Sequence, residues 1–326
     1  MTVTLADIQA AADRIRGHAL ETPLIESPAL NERAGVRILL KTETLQRVGA
    51  FKFRGAYNRL VQLTAEERAR GVVAFSSGNH AQGVALAARL LGIPALIVMP
   101  SDAPKVKVVA TKGYGAEVRF YDRLTDSREA IAAEIAGQRG SVVVPAFDDP
   151  HIIAGQGTVG LEMVAQARAQ GASLDLVAAP ISGGGLLAGL ATAIKGLSPQ
   201  TTMVGVEPEG FDDTLKSLQA GARQVIKPTG RSLCDSLESP FPGELTFPIM
   251  QKTVADVAVV SDREITEAMR YAFATLKLVV EPGGAAALAA LLAGKIDVAG
   301  KGAVGLVLSG GNVDPEQFAQ ALRGEL

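Results

Sequence analysis

The sequence predicts an α/β protein with two open, twisted, mostly parallel sheets, helices on both sheet faces, and a ligand site between the two parts. Three observations carry this. Apolar β-rich runs alternate with longer Ala/Leu-rich segments of helical spacing, and strand, helix, strand in repeated order means parallel strands joined by crossover helices. The strand runs are continuously apolar, as expected when both faces of a sheet are covered. The rhythm breaks once, at "FDDPHIIAGQGT" (147–158), after four βα units that look self-contained. The division expected is therefore a small α/β domain, 71–148, inserted in a larger one, 1–70 plus 149–326.

The elements follow in order. The N-terminal "MTVTLADIQAAADRIRGHAL" has helical apolar spacing interrupted by Asp7 and Asp13. Strands are expected at "RILLK" (37–41), "GVVAF" (71–75), "ALIVM" (95–99), "AEVRF" (116–120) and "SVVVP" (141–145). Further strands are expected at "LDLVAAP" (174–180), "TTMVGVE" (201–207), "VADVAVV" (254–260) and "AVGLVLSG" (303–310). Helices are expected at 79–91, 103–112, 125–138, 152–169, 185–195, 261–275 and 284–293. Open α/β sheets bind ligands outside the carboxyl ends of their strands, and pockets favour domain boundaries. The residues just after each strand are therefore the first candidates for a site.

Composition narrows the function. The chain has 326 residues, 48% of them apolar, enough for one large or two ordinary cores. Lys plus Arg number 32 against 34 Asp plus Glu, so no basic field points to nucleic acid. Trp is absent and Tyr numbers four, which argues against a stacking platform for single strands. The single cysteine, Cys234, excludes an internal disulfide framework and fits a reducing compartment. The N-terminus does not read as a secretory signal, and apolar runs such as "AAALAALLAG" (285–294) are too short for a bilayer. A cytoplasmic protein is expected.

Three strand-end loops and one lysine stand out. "SSGNHAQG" (76–83) leads into a helix, where free backbone N–H groups hold anions. Ser76, Ser77 and Asn79 add donors, and these small residues in a row with Gly78 and His80 exceed the needs of a helix cap. In "ISGGGLLAG" (181–189), Gly183–Gly185 permits close backbone approach to a phosphate. Gly183-x-Gly185-x-x-Ala188 also fits a dinucleotide fingerprint, with Glu207 near the ribose-binding position, so a nicotinamide oxidoreductase competes. In "SGGNVD" (309–314), Ser309 either caps a helix starting near Asp314 or faces a ligand. In "RVGAFKFRGAYN" (47–58), Lys52 lies between Phe51 and Phe53 with Arg54 two positions on. An apolar setting and a neighbouring cation both lower a lysine pKa, and a free amine is what a Schiff base needs. A surface lysine covering a helix start is the commoner meaning of such a stretch alone.

Together, "GAFKFRGAYN", "SSGNHAQG", "PAFDDPHIIAGQGT", "SGGGLLAG", "EPGGAAALAAL" and "LSGGNVD" resemble, in this order, the fold-type II pyridoxal-phosphate (PLP) enzymes with a tryptophan synthase β-like fold. Within these the chain is similar to the serine/threonine dehydratases and serine racemases over essentially its whole length. No length remains after the last motif for a C-terminal regulatory domain, so the short, catabolic or racemase-like type is expected. The resemblance implies that Lys52 anchors the cofactor as a Schiff base and that Phe51 packs near its ring. It implies a phosphate loop of Gly183, Gly184, Gly185 and Leu186, with Ser182 where relatives often have a fourth glycine. Asn79 matches the partner of the ring hydroxyl, and Ser309 that of the pyridine nitrogen. A hydroxyl there does not hold a proton on the nitrogen, which weakens the ring as an electron sink and suits prompt loss of a β-substituent.

The resemblance further implies a small amino-acid substrate, its carboxylate on the Ser76–His80 loop, with Arg128 at the mouth. Ser77 matches the racemase residue that works on the face opposite the lysine. Glu207, the Phe211 carbonyl and Asp213 match positions that hold a divalent cation, Mg²⁺ or Ca²⁺, in the racemase-like branch. Ala50 departs from the usual serine, which puts the substrate in doubt, and Phe75 is a candidate for shaping the side-chain pocket. The implied activity is an ammonia-lyase on L-threonine or L-serine, in a homodimer. A serine racemase or 3-hydroxyaspartate dehydratase is the nearer alternative.

Overall fold

The computed structural model describes residues 2–76, 78–103, 105–228 and 230–326. Its strands are β1 (Leu24–Glu26), β2 (Arg37–Thr42), β3 (Val72–Phe75), β4 (Ala95–Pro100) and β5 (Glu117–Tyr121). They continue with β6 (Val142–Val143), β7 (Leu176–Pro180), β8 (Thr202–Pro208), β9 (Asp256–Val260) and β10 (Ala303–Leu308). A six-stranded sheet runs β1-β2-β10-β7-β8-β9 and a four-stranded sheet β5-β4-β3-β6. All pairings are parallel except β1 with β2, where Leu24 faces Lys41.

The continuous apolar runs are explained by burial on both faces. In β7, Leu176 and Ala178 join one apolar cluster while Val177 and Ala179 join another. The same alternation holds in β10, where Val304, Leu306 and Leu308 point opposite to Ala303 and Val307. Side chains of a strand alternate between faces, so a strand covered on both must be apolar throughout. The smaller sheet is likewise packed on two sides.

Helix Pro150–Ala169 begins earlier than its apolar spacing suggests, because Asp149 caps it, accepting from His151 N at 2.8 Å and Ile152 N at 2.9 Å. The helix expected over 261–275 runs Asp262–Tyr271, then widens to a π-turn over Ala272–Leu276 that ends at Lys277 with φ 61°. The strand expected over 141–145 shrinks to Val142–Val143. Asp314 caps helix Pro315–Arg323 through Glu316 N at 2.9 Å. Ser309 is therefore not needed as its cap. Among the described residues no helix is long and apolar enough to cross a membrane.

Helix Lys52–Leu60 is held by close backbone approach. A Cβ on Gly155 would lie 2.6 Å from Gly55 Cα, and one on Gly83 3.2 Å from the Lys52 carbonyl carbon. Glycine at these positions lets helices Pro150–Ala169 and Asn79–Leu91 grip this short helix from two sides. Arg54, also on it, is fully buried and bonds Glu43 at 2.8 Å and Glu162 at 2.6 Å. Lys41 joins the same cluster through Glu162 at 2.6 Å.

Candidate active site

Lys52 is placed by a turn pinned to the loop after β10. Val48 has φ 57°, uncommon for a β-branched residue. Asn312 holds it there by donating to the Val48 carbonyl at 2.6 Å, while Gly311 N–H donates to Gly49 O at 2.9 Å. Ala50 bridges Gly310, and Phe51 N–H donates to Ser309 O at 3.1 Å. Two segments far apart in sequence are thus laid side by side, which brings Lys52 and Ser309 into one cavity.

The Lys52 amine donates to Ala146 O at 2.8 Å and lies 5.1 Å from the Phe51 ring centroid. Loss of solvation brings its pKa down to about 8. Arg54 plays no part in this, contrary to the expectation from its spacing: its guanidinium turns away to the buried carboxylate of Glu43 and the half-buried one of Glu162. Phe51, Ser182, Gly183, Gly184, Gly185, Leu186, Ser76, Asn79, His80, Arg128 and Ser309 line the same cavity as Lys52. Ser77 lies outside the described residues.

At the end of β7 the glycine loop starts helix Gly185–Leu197, which no side chain caps. Gly184 has φ 90°, and a Cβ there would fall 2.6 Å from Met250 Cε. Gly183 O is held by Thr246 Oγ1 at 2.6 Å. The orphan amides of an uncapped helix start fit a phosphate. Helix Asn79–Leu91 also lacks a side-chain cap, and Ser76 Oγ instead accepts from Gly78 N at 3.1 Å. Its free amides suit a carboxylate. His80 contacts Val144 O at 3.0 Å through Nε2, while Nδ1 is buried without a partner. Burial, then the Lys52 charge, depress its pKa to about 3, so the ring is neutral. Ser309 is 5% exposed just past the end of β10 and lines the same cavity as Lys52. A buried amine, two sets of unspent helix amides and a lone hydroxyl together fit PLP.

Arg128 stacks 5.5 Å from the Phe75 ring and pairs with Glu129 at 2.8 Å. Arg123, Lys107 and Asp235 also line the cavity, although their sequence neighbourhoods carry no motif, and so does Phe147, from the motif "PAFDDPHIIAGQGT". Lys107 is 4% exposed and joins Asp235 at 2.7 Å. Glu281 was more visible, as the acid that opens "EPGGAA". It is buried and receives a hydrogen bond from Asn79.

Glu207 and Asp213 lie elsewhere, at the end of β8 and the start of helix Asp213–Ala220. Glu207 accepts from Thr214 N at 2.9 Å and Leu215 N at 3.0 Å at the helix start, and it does not line the glycine-loop cavity. That removes the acid a nicotinamide site would need. Both Asp213 oxygens are buried without a partner. Burial raises Asp213 to about 8 and Glu207 to about 7, and the Glu207 charge adds to the Asp213 shift. Phe211 is buried beside them. Among the described residues no three His, Cys, Asp or Glu side chains gather as a metal centre.

Residues 15–310 match the family of pyridoxal-phosphate-dependent enzymes. The chain is 45% identical over 318 residues to an L-threo-3-hydroxyaspartate ammonia-lyase of a Pseudomonas species, covering 98% of each. It is 40% identical over 322 residues to a catabolic L-threonine dehydratase of Escherichia coli K12, covering 98% of this chain and 96% of the other. Its structure is similar to that of maize serine racemase, with a TM-score of 0.93 and 38% identity over 99% of this chain and 98% of that one. This match removes the nicotinamide alternative: the chain belongs to the fold-type II pyridoxal-phosphate-dependent enzymes.

Proposed function

We propose that the protein is a PLP-dependent ammonia-lyase that converts an L-3-hydroxy amino acid to a 2-oxo acid and ammonia, water being lost and then regained. The observation that carries this reading is the desolvated Lys52 amine sharing a cavity with the uncapped glycine-loop helix and with Ser309. PLP, when bound, supplies an electron sink for charge developing at the substrate α-carbon. The Gly183–Leu186 amides and Ser182 would hold its phosphate, Asn79 would meet its ring oxygen, and Phe51 would pack beside its ring. Ser309 would serve the ring nitrogen as a neutral partner. Lys52 would anchor the cofactor, and its desolvated amine would serve as the general base for the substrate α-proton. The amides and hydroxyls of the Ser76–His80 loop bind the substrate carboxylate, with neutral His80 adding no charge.

L-threonine and L-serine are the substrates proposed first. A second substrate, 3-hydroxyaspartate, is favoured by Arg128 and Arg123 lining the cavity, where a side-chain carboxylate could pair. Oxo-acid formation from threonine, serine and 3-hydroxyaspartate isomers tests both. Absence of oxo acid from every isomer would sink the lyase reading. Loss of the hydroxyaspartate reaction alone in Arg128→Ala would assign that arginine to the second carboxylate. Racemisation needs a proton donor opposite Lys52, and Ser77 is proposed for it. Ser77→Ala should then abolish D-serine formation from L-serine while pyruvate formation survives in part.

We also place a divalent cation between Asp213, Glu207 and the Phe211 carbonyl. The orphaned Asp213 oxygens support it, since buried carboxylates without hydrogen bonds are costly unless they meet a cation. Ca²⁺ or Mg²⁺ should raise the melting temperature, and Asp213→Asn should remove that gain. A melting temperature indifferent to chelator and cation would sink the site. A cytoplasmic homodimer completes the reading, and sedimentation of the purified protein tests the dimer.

A further inference from the structure

Glu281 precedes helix Pro282–Leu292 but caps none of its amides. It is 1% exposed, and its carboxylate meets Asn79, which lines the cavity. One oxygen accepts from the Asn79 side-chain amide, and the other is buried without a partner. Glu281 N–H donates to Gly310 O at 3.0 Å, which ties its backbone to the loop after β10. A Cβ on Gly310 would lie 2.2 Å from the oxygen that Asn79 binds, so only glycine there lets the carboxylate reach Asn79. On the other side, Asn312 donates to Asn79 Oδ1 at 2.8 Å.

Asn79 thus accepts from Asn312 and donates to Glu281. Reversing its amide would set NH₂ against NH₂ and a carbonyl against a carboxylate, replacing two hydrogen bonds by two repulsions. An amide nitrogen carries two hydrogens. One is spent on Glu281, and the other is what Asn79 has left to offer the cavity it lines.

We propose that Glu281 is a positioning residue: together with Asn312 it locks Asn79 so that only a donor faces the cavity, and the group bound there must be an acceptor. This rests on the reading that Asn79 meets the PLP ring oxygen, and it requires that oxygen to be held deprotonated. The charged groups around Glu281 are Lys107, from helix Lys105–Gly113, and Asp235, from turn Asp235–Leu237. Burial pushes Glu281 up to about 7, with Lys107 opposing and Asp235 adding. The lock is therefore at full strength above neutrality, where Glu281 carries its charge, and weaker below it.

The test is the visible absorption of the cofactor-loaded protein titrated across the neutral range. In Asn312→Ala and Glu281→Leu the midpoint of the band's titration should rise by about one pH unit, a tenfold shift. The cofactor should also dissociate several-fold more readily. Glu281→Gln, whose amide oxygen can still accept from Asn79, should keep the wild-type midpoint and lose the component that follows Glu281 ionisation. If Glu281→Leu does not fold, Asn312→Ala and Glu281→Gln decide alone. A shift in Asn79→Ala with none in Asn312→Ala overturns the lock while leaving Asn79 on the ring oxygen. An unshifted Asn79→Ala removes that assignment, and the lock with it.

Discussion

Lys52 is the residue on which the reading turns. As anchor and base it should be irreplaceable: Lys52→Ala is expected to lower turnover by about 10³-fold or more, judged from the usual worth of a positioned base, with unchanged far-ultraviolet circular dichroism. Turnover near wild type would rule out the mechanism. Its importance was not legible in its own stretch, which alone reads more commonly as a surface lysine, but in the combination of motifs, and the cause of its lowered pKa was not legible at all. The sequence set Arg54 two positions away, and helical geometry sends that side chain to another face. His80 and Glu281 make a second residue-scale prediction, for the apoprotein. Burial depresses His80 from 6.5 to about 3, so its contribution to stability is present above 6.5 and lost as pH falls towards 3. Burial raises Glu281 from 4.5 to about 7, so its contribution is present below 4.5 and lost as pH rises through 7. The two slopes, about 1.4 kcal/mol per pH unit each, oppose one another where the windows overlap. Urea midpoints should therefore climb with pH across that overlap in Glu281→Gln, relative to wild type, and fall in His80→Gln. Parallel curves for all three proteins would show that neither group is held as described.

At the scale of elements, periodicity revealed the strands that are covered on both faces and the helices with an apolar stripe. It missed what lacks those signatures. β1 is a three-residue antiparallel edge, too short for a period. Helix Lys52–Leu60 buries Arg54 and Asn58 as well as Phe53 and Leu60, so its inward face does not look apolar in sequence. That polar burial is a stability determinant. Glu43, fully buried, receives two bonds from Arg54 at 2.8 Å each and one from Thr22 at 2.5 Å. Glu43→Ala would leave a buried guanidinium half-paired, and truncating one partner of such a pair costs about 3–5 kcal/mol. Denaturant unfolding should show a loss of this size. A loss below about 1 kcal/mol, the range of exposed pairs, would mean that water reaches the guanidinium in solution.

At the scale of the whole molecule, the small sheet is built from one continuous stretch and the large sheet is not. β10 lies between β2 and β7, with Ala303 beside Arg37 and Val304 beside Leu176. No local pattern could announce this, because the partners meet only across most of the chain. The same insertion lays Ser309 and Asn312 against Val48–Phe51, so the motifs of the site were readable one by one while their meeting was not. It also imposes an order on biosynthesis. While the ribosome has yet to release β10, β1-β2 and β7-β8-β9 are two fragments, each with an open edge where β10 will sit. Such edges are templates for foreign strands, and pairing across so long a separation is slow. Nascent chains arrested before Ala303 should therefore resist proteolysis over the stretch that forms β3 to β6 and be cleaved readily on either side. They should also demand chaperones until the last strand slides into the gap and completes the cofactor site in the same act.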